Sequence, residues 1–462
     1  MYCKLTEDIA LRRWPDTGQM VCVRGKRGAI PVPEKLAQIL LRCDGEHDLE
    51  TDAAVMLLMV RKWIEPCEKG EHPSEWSAYR EYANLYFPMM NLMITGKCNF
   101  NCRHCFNAAD NAKLMSEWDF DGLCGLLDQA ESCGISSFTI TGGEPMVHPR
   151  FMDILREIYR RGMTVFALNT NGWFITRDIL NRMKEIGCVP EMKISLDGIG
   201  THDWMRQHPG SEKRALDAIR LCAENGFPVE CNTQVHRLNL HTMIPTAETL
   251  NDLGVRIMRI IRTTEAPRWA ENAPDACLGI EEYYGKMLDF AAEYARSGMR
   301  MDVKIWQFLT LFPREKRVRL DPVRCPEGAC DDSVPCCECT RQMAAVTAEG
   351  ELLPCLQFSG YTAKYGISMG NVRQTPLKEL LSGGLCMDLA RLTASEARGK
   401  ISRCRTCPHF QRCAGGCRAL GLLFAEGPED FWREDITKCI FFGHEWPRKI
   451  AERLAGWKTD GC

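Results

Sequence analysis

The sequence predicts an α/β fold built on a repeated strand-helix unit, with a small separate unit before it and a cysteine-rich module after it. Three observations lead there. Between residues 86 and 262, six short runs of strand character alternate with stretches of helical periodicity, and several of those stretches end in glycine, the usual helix stop. Strands that return parallel through helices build either an α/β barrel or an open parallel sheet. Cysteine is also unevenly distributed: 13 of the 26 lie from Cys325 onward.

The elements can be placed in order. Residues 18–25, GQMVCVRG, read as a strand. Residues 33–43 carry Leu36, Ile39, Leu40 and Cys43 at helical spacing up to the turn Asp44-Gly45, and 52–63 read as a second helix. This pattern over residues 1–70 suits a winged-helix-like domain. Through Glu75, however, it carries 11 basic and 13 acidic residues, whereas a DNA reader shows a basic face. Residues 71–84 are polar, contain His72-Pro73 and read as a linker. Strands then fall at 86–94, 137–141, 164–169, 191–196, 228–235 and 255–262, with helices such as 150–162, 177–187, 211–226 and 242–254 between them. This body is expected over 85–310, and the cysteine-rich module over 311–462.

Composition excludes several classes. A hydrophobic fraction of 45% supports a packed core, and a net charge of -3 gives no general attraction to nucleic acid or anionic membrane. The longest strongly apolar run, AAVMLLMV at 53–60, is too short to span a bilayer, and the N-terminus lacks a signal-peptide core. The expectation is a cytoplasmic protein without membrane or nucleic-acid partners. In that reducing compartment, clustered cysteines point to metal and not to disulfides.

Directly after the first strand stands CNFNCRHC, which spaces Cys98, Cys102 and Cys105 as C-x3-C-x2-C. In barrels of this kind the chemistry sits at this end of the strands. A structural zinc takes four protein ligands. Three thiolates in one loop suggest an iron-sulfur cubane with one iron left for another ligand.

The second strand ends in Thr141-Gly142-Gly143-Glu144-Pro145, where glycines admit a ligand close to the backbone and Glu144 can accept from an ammonium. The third ends in Asn169-Thr170-Asn171-Gly172 and the fourth in Ser195-Leu196-Asp197-Gly198, with Arg206 beyond. Asn171, Ser195 and Asp197 suit ribose hydroxyls, and Arg206 a carboxylate. Each is also an ordinary turn signal. Their joint placement at successive strand ends beside a three-cysteine loop carries the weight.

CNFNCRHC, TGGEP, TNG and SLDG, in this order over residues 86–262, resemble the radical S-adenosylmethionine (SAM) superfamily. The resemblance implies a partial (β/α)6 barrel, and a 4Fe-4S cluster on Cys98, Cys102 and Cys105 whose open iron is chelated by SAM. It places Gly142, Gly143 and Glu144 at the methionine amino group, with Ser195 and Arg206 at the ribose and carboxylate. An electron from the cluster then yields methionine and a 5′-deoxyadenosyl radical that takes hydrogen from a substrate. His104 stands where many members carry an aromatic residue.

Cys404-x2-Cys407-x5-Cys413-x3-Cys417, followed by Cys439 and preceded by Cys339-x10-Gly350-x4-Cys355, could be a zinc ribbon or an iron-sulfur module. Its spacing resembles the SPASM extension of radical SAM enzymes that modify peptides. That resemblance implies two auxiliary clusters, three 4Fe-4S clusters in all. One would sit on Cys339, Cys355 and Cys417, the other on Cys404, Cys407, Cys413 and Cys439. A fourth ligand for the first is sought among Cys325, Cys330, Cys336 and Cys337, with Cys336 preferred because it makes C-x2-C with Cys339. The scattered cysteines, such as Cys133 and Cys222, read as small buried hydrophobes.

The N-terminal unit, on ILLRCDGEHDLE, is similar to PqqD-like peptide-recognition domains, which implies leader-peptide binding by strand addition; a structural cap on the barrel is the plainer alternative. The expected function is maturation of a ribosomally made precursor peptide, first by thioether formation from a cysteine thiol, with carbon-carbon linkage or epimerisation as alternatives. A flavodoxin or ferredoxin would supply electrons. Sulfatase-maturase-like oxidation is disfavoured because Leu356-Gln357 stands after Cys355, where those enzymes look to an Asp. A non-catalytic metal-binding protein would leave the strand-end motifs as coincidence.

Overall fold

The structure, a computed structural model, describes residues 1–105, 115–263, 269, 272–324 and 333–460. The N-terminal unit holds β1 (Tyr2–Leu5), β2 (Ile9–Arg13), β3 (Gln19–Val23), β4 (Ala29–Pro31), α1 (Glu34–Leu41), β5 (Asp44–Asp48), α2 (Ala53–Val60) and β6 (Ile64–Pro66). Its strands form two small sheets, β5-β1-β6 and β4-β3-β2, with β7 (Arg80–Glu81) added parallel to β2. Cys3, Leu11, Val21, Leu40 and Leu58 pack between the sheets and the two helices. Asp52 starts α2 by accepting from the backbone N–H of Ala54 and Val55, both at 2.9 Å.

The stretch read as a linker does more than connect. It supplies β7, and Tyr82 stacks on Trp14 at 4.8 Å between ring centroids. The Trp14 indole donates to the Cys133 carbonyl at 3.1 Å, which fastens the N-terminal unit to the body that follows.

That body alternates as expected: β8 (Met89–Thr95), α3 (Phe120–Ser132), β9 (Ser137–Gly142), α4 (Phe151–Arg160), β10 (Thr164–Thr170), α5 (Arg177–Glu185), β11 (Glu191–Ser195), α6 (His202–Arg206), α7 (Ser211–Glu224), β12 (Val229–Val235), α8 (Met243–Asp252) and β13 (Ile257–Arg262). β8 to β13 pair parallel in chain order, and β8 does not meet β13, so the six-stranded barrel is partial. Leu92, Ile94, Phe138, Ile140 and Leu168 are buried under helix faces such as Ile154, Leu155 and Ile158 of α4.

The sheet continues beyond both edges. β14 (Asp302–Ile305), β15 (Leu309–Phe312) and β16 (Arg317–Leu320) extend the β13 side, while β17 (Met343–Val346) and β18 (Leu352–Leu353) extend the β8 side. β19 (Lys458–Asp460) finishes the first of these edges beside β16. The expected boundary at 310/311 therefore falls inside β15, and the C-terminal module completes the sheet it was expected to follow.

Candidate active site

Every motif singled out in the barrel lies at the C-terminal end of its strand. The cysteine loop follows β8, and the TGGEP turn leans on it directly. Gly143 N–H donates to the Thr95 carbonyl at 2.8 Å, and Glu144 N–H to the Lys97 carbonyl at 2.9 Å. A Cβ on Gly142 would stand 2.4 Å from the Thr95 carbonyl oxygen, and one on Gly143 would stand 2.3 Å from that of Lys97. Glycine is needed here for closeness of two chains, independent of backbone angle.

Glu144 is fully buried and receives three donors: Thr170 Oγ1 at 2.9 Å, Asn171 N–H at 2.7 Å and Met146 N–H at 3.2 Å. Burial outweighs these donors and raises its carboxyl to about 7. Asn171 also donates from Nδ2 to Asn99 Oδ1 at 2.8 Å, so the third strand end is tied to the cysteine loop.

Arg206, on α6, reaches Cys102 Sγ with Nη1 at 3.8 Å. Burial raises the Cys102 thiol, and the adjacent guanidinium works against that rise. Arg206 is held by Asp197 through Nε to Oδ2 at 2.5 Å and Nη2 to Oδ1 at 3.1 Å, and Gln234 N–H donates to the same Oδ1 at 2.9 Å. Burial alone would raise the Asp197 carboxyl, but Arg206 and the neighbouring imidazoles hold it at about 2. Asp197 thus differs from the expected ribose contact: it has no exposed surface and its carboxylate serves Arg206. Ser195 ends β11, half-buried, beside Asn232 of β12.

Several buried polar atoms here lack partners: Asn99 Nδ2, His104 Nδ1, His202 Nε2, Asn232 Oδ1 and His236 Nε2. His202 Nδ1 accepts the Asp197 N–H at 2.9 Å, so its free Nε2 carries the proton. Such orphans are rare in native interiors and mark a place where a ligand completes the bonding. The residues present therefore fit an iron-sulfur cluster with a polar cosubstrate: three thiols on one loop, a guanidinium at one of them, a glycine cradle and unpaired donors around it.

Aromatic residues missed by the motif reading frame this end. Phe100, Trp173 and His208 form a trio with centroid separations of 5.7, 4.5 and 4.3 Å. Trp204 packs against His236 at 5.3 Å, and Arg103 lies over Trp204 at 4.7 Å. Single aromatics in loops, or on the one-turn α6 as Trp204 is, carry no period, and only their position beside a motif could have drawn notice.

The C-terminal thiols fall into two neighbourhoods. Cys407 acts on Cys404, and Cys404 acts on both Cys413 and Cys439, while burial raises Cys404, Cys413 and Cys439. Cys355 and Cys417 likewise share a neighbourhood with Cys337 and, through Cys337, with Cys339. Cys337 is lowered because Cys339 donates to its sulfur, and Cys339 is raised in return. The expected Cys336 stands between the two sets, with Cys337 and Cys404 both acting on its thiol. Its thiol donates to the Thr393 carbonyl at 3.3 Å and packs with Leu392, Ala397 and Cys404. An i, i+3 spacing favoured it in the sequence, but the backbone turns its side chain into this small core. Cys325 and Cys330 lie outside the described residues. Among the described residues, no three His, Cys, Asp or Glu side chains converge as one metal ion requires.

Comparison with known proteins agrees with this geometry. Residues 92–253 match the Radical SAM superfamily, and residues 336–408 match SPASM, an iron-sulfur cluster-binding domain. The AdoMet-dependent heme synthase of Methanosarcina barkeri is 27% identical over 71% of this chain and 89% of its own length. The PqqA peptide cyclase of Granulibacter bethesdensis is 23% identical over 72% and 83%. Among solved structures, Streptococcus suis SuiB bound to precursor peptide SuiA has a TM-score of 0.63 at 14% identity, covering 92% of this chain and 98% of that one. The enzyme anSMEcpe with bound AdoMet has a TM-score of 0.55 at 17% identity, covering 78% and 97%. At these identities the two solved structures speak for the fold alone. On the two domain matches, seated on the strand ends described above, the chain is an enzyme of the radical SAM superfamily that carries a SPASM domain.

Proposed function

We propose that this enzyme matures a ribosomally made precursor peptide, joining a cysteine sulfur to a carbon of the same peptide. The observation that carries the peptide reading is the N-terminal unit, whose small sheets end in edge strands at β4 and β6 and which is fastened to the barrel by Trp14 and β7. An open edge binds an extended chain through its main chain. We take this unit as the PqqD-like, leader-binding domain. The likeness in fold to SuiB, crystallised with its precursor peptide, supports the same reading.

Cys98, Cys102 and Cys105 would hold the 4Fe-4S cluster that binds SAM. When bound and reduced, by a flavodoxin- or ferredoxin-type donor, that pair supplies a 5′-deoxyadenosyl radical able to take a hydrogen atom from carbon. The chain's own residues bind and orient. The ionised Glu144 accepts the methionine ammonium, while Gly142 and Gly143 bring the backbone close to it. Arg206, oriented by Asp197, pairs with the carboxylate, and Asn171 and Ser195 lie toward the ribose. The remaining thiols would hold two auxiliary clusters, the first on Cys337, Cys339, Cys355 and Cys417, the second on Cys404, Cys407, Cys413 and Cys439.

Thioether formation removes one hydrogen from carbon and one from the thiol. The first leaves in 5′-deoxyadenosine. The second leaves as a proton, and an auxiliary cluster held by the C-terminal thiols would be the acceptor for its electron. The test is anaerobic incubation with SAM, reductant and a candidate cysteine-containing precursor peptide, followed by tandem mass spectrometry. A product lighter by two hydrogens that resists thiol alkylation supports the thioether. An equally light product with a free thiol points to a carbon-carbon bond, and an unchanged mass that gains deuterium from heavy water points to epimerisation. Recovery of unaltered peptide despite SAM cleavage contradicts a peptide substrate.

A further inference from the structure

A second site opens at the opposite end of the barrel from the cysteines. Below the starts of β9, β10 and β11, a cleft of about 660 Å³ separates the barrel rim from the β3–β4 hairpin of the N-terminal unit. Its volume lies within the usual range for ligand pockets. The hairpin lines it with Arg24, Lys26 and Arg27, and the rim with Arg256 and Glu191.

The charges do not cancel. Arg256 pairs with Glu191, which leaves the three hairpin cations without a carboxylate partner among the described residues. Arg27 lies over the Phe166 ring at 4.1 Å, and Arg24 over Trp76 at 5.6 Å. These ring contacts position both guanidiniums, and Arg27 Nη1 also donates to Met89 Sδ at 3.8 Å, so neither is engaged by a carboxylate among the described residues. The hairpin is anchored by its main chain, since Gly25 N–H donates to the Gly162 carbonyl at 3.3 Å. Three cations on one hairpin, without a carboxylate partner among the described residues, in a chain of net charge -3 mark a local preference for anions.

We propose that this cleft binds an acidic segment of the peptide substrate, with the carboxylates paired to Arg24, Lys26 and Arg27. The proposal rests on the peptide reading above and adds a second point of attachment, remote from the reacting end. A nucleic acid fits worse. The outer strand β5 of the same unit carries Asp44, Glu46 and Asp48, which would repel an extended polyanion, whereas a short acidic peptide meets only the hairpin.

The test uses the full chain and fluorescein-labelled octapeptides of alternating Glu and Ala, or Lys and Ala, read by anisotropy. The expected result is that the Glu peptide binds and the Lys peptide does not. Raising ionic strength from about 0.01 to about 0.15 M, which shortens the screening length from about 30 to about 8 Å, should weaken binding at least about tenfold. The double variant Lys26→Glu, Arg27→Glu should abolish it, and Lys26→Ala, Arg27→Ala should weaken it about tenfold with the melting temperature unchanged. Equal binding of both peptides, an unaffected double variant, or tighter binding of a thymidine octanucleotide than of the Glu peptide would overturn the proposal. SAM cleavage and peptide cross-linking do not enter this readout, so its failure is distinct from failure of the maturase reading.

Discussion

Glu144 shows how a single buried carboxylate can be set for one partner. Its three hydrogen-bond donors do not offset the loss of water, so its carboxyl titrates at about 7 in place of 4.5. The stability it lends the empty chain is full below pH 4.5 and is lost as pH rises through about 7. Binding of an ammonium has the opposite dependence, because it needs the ionised form. SAM affinity, measured by calorimetry on the iron-loaded protein, should fall about tenfold per unit as pH drops below about 7, and level off above it. In Glu144→Gln that slope should vanish and affinity should drop at least about tenfold. Gly143 acts by closeness alone. In Gly143→Ala the new methyl would meet carbonyl oxygens of both Lys97 and Gly96, so the cysteine loop must shift. Iron analysis and SAM titration should show loss of the first cluster's iron and of SAM binding.

Among the elements, the strand-helix units were legible because each signal is local: β-branched and aromatic alternation in stretches such as Ser137–Gly142, SFTITG, and glycines at positive φ such as Gly162 and Gly187 closing the helices. β5, DGEHD, was not legible. It is a strand because it pairs with β1, and its own residues favour a turn. β17 was equally hidden, since its pairing with β8 joins residues more than two hundred positions apart. At the site, the motif residues were legible by spacing, but the commitment of Asp197 to Arg206 and the choice between Cys336 and Cys337 depend on side-chain direction. Helix α3 offers a control for the glycine argument. A Cβ on Gly125 would meet nothing within 4 Å, so Gly125→Ala should stabilise the chain by about 0.5–1 kcal/mol in denaturant unfolding, with SAM binding unchanged.

At the scale of the whole molecule, one continuous sheet links the barrel and the C-terminal module. The barrel carries its motifs at one end, the C-terminal module pairs with β8 at one edge and β16 and β19 close the other, and the N-terminal unit docks through Trp14. This continuity fixes the thiol sets relative to the barrel. Cys337→Ala should therefore lower iron content and alter the electron paramagnetic resonance of the reduced auxiliary clusters, while Cys336→Ala leaves both unchanged apart from a packing loss of about 1 kcal/mol. The most direct test of the central claim is the anaerobic assay of 5′-deoxyadenosine from SAM and dithionite. It compares the reconstituted wild type with the variant in which Cys98, Cys102 and Cys105 are all alanine. Product from the wild type and none from the variant is the predicted result; no product from iron-loaded wild type, or equal product from both, would contradict it.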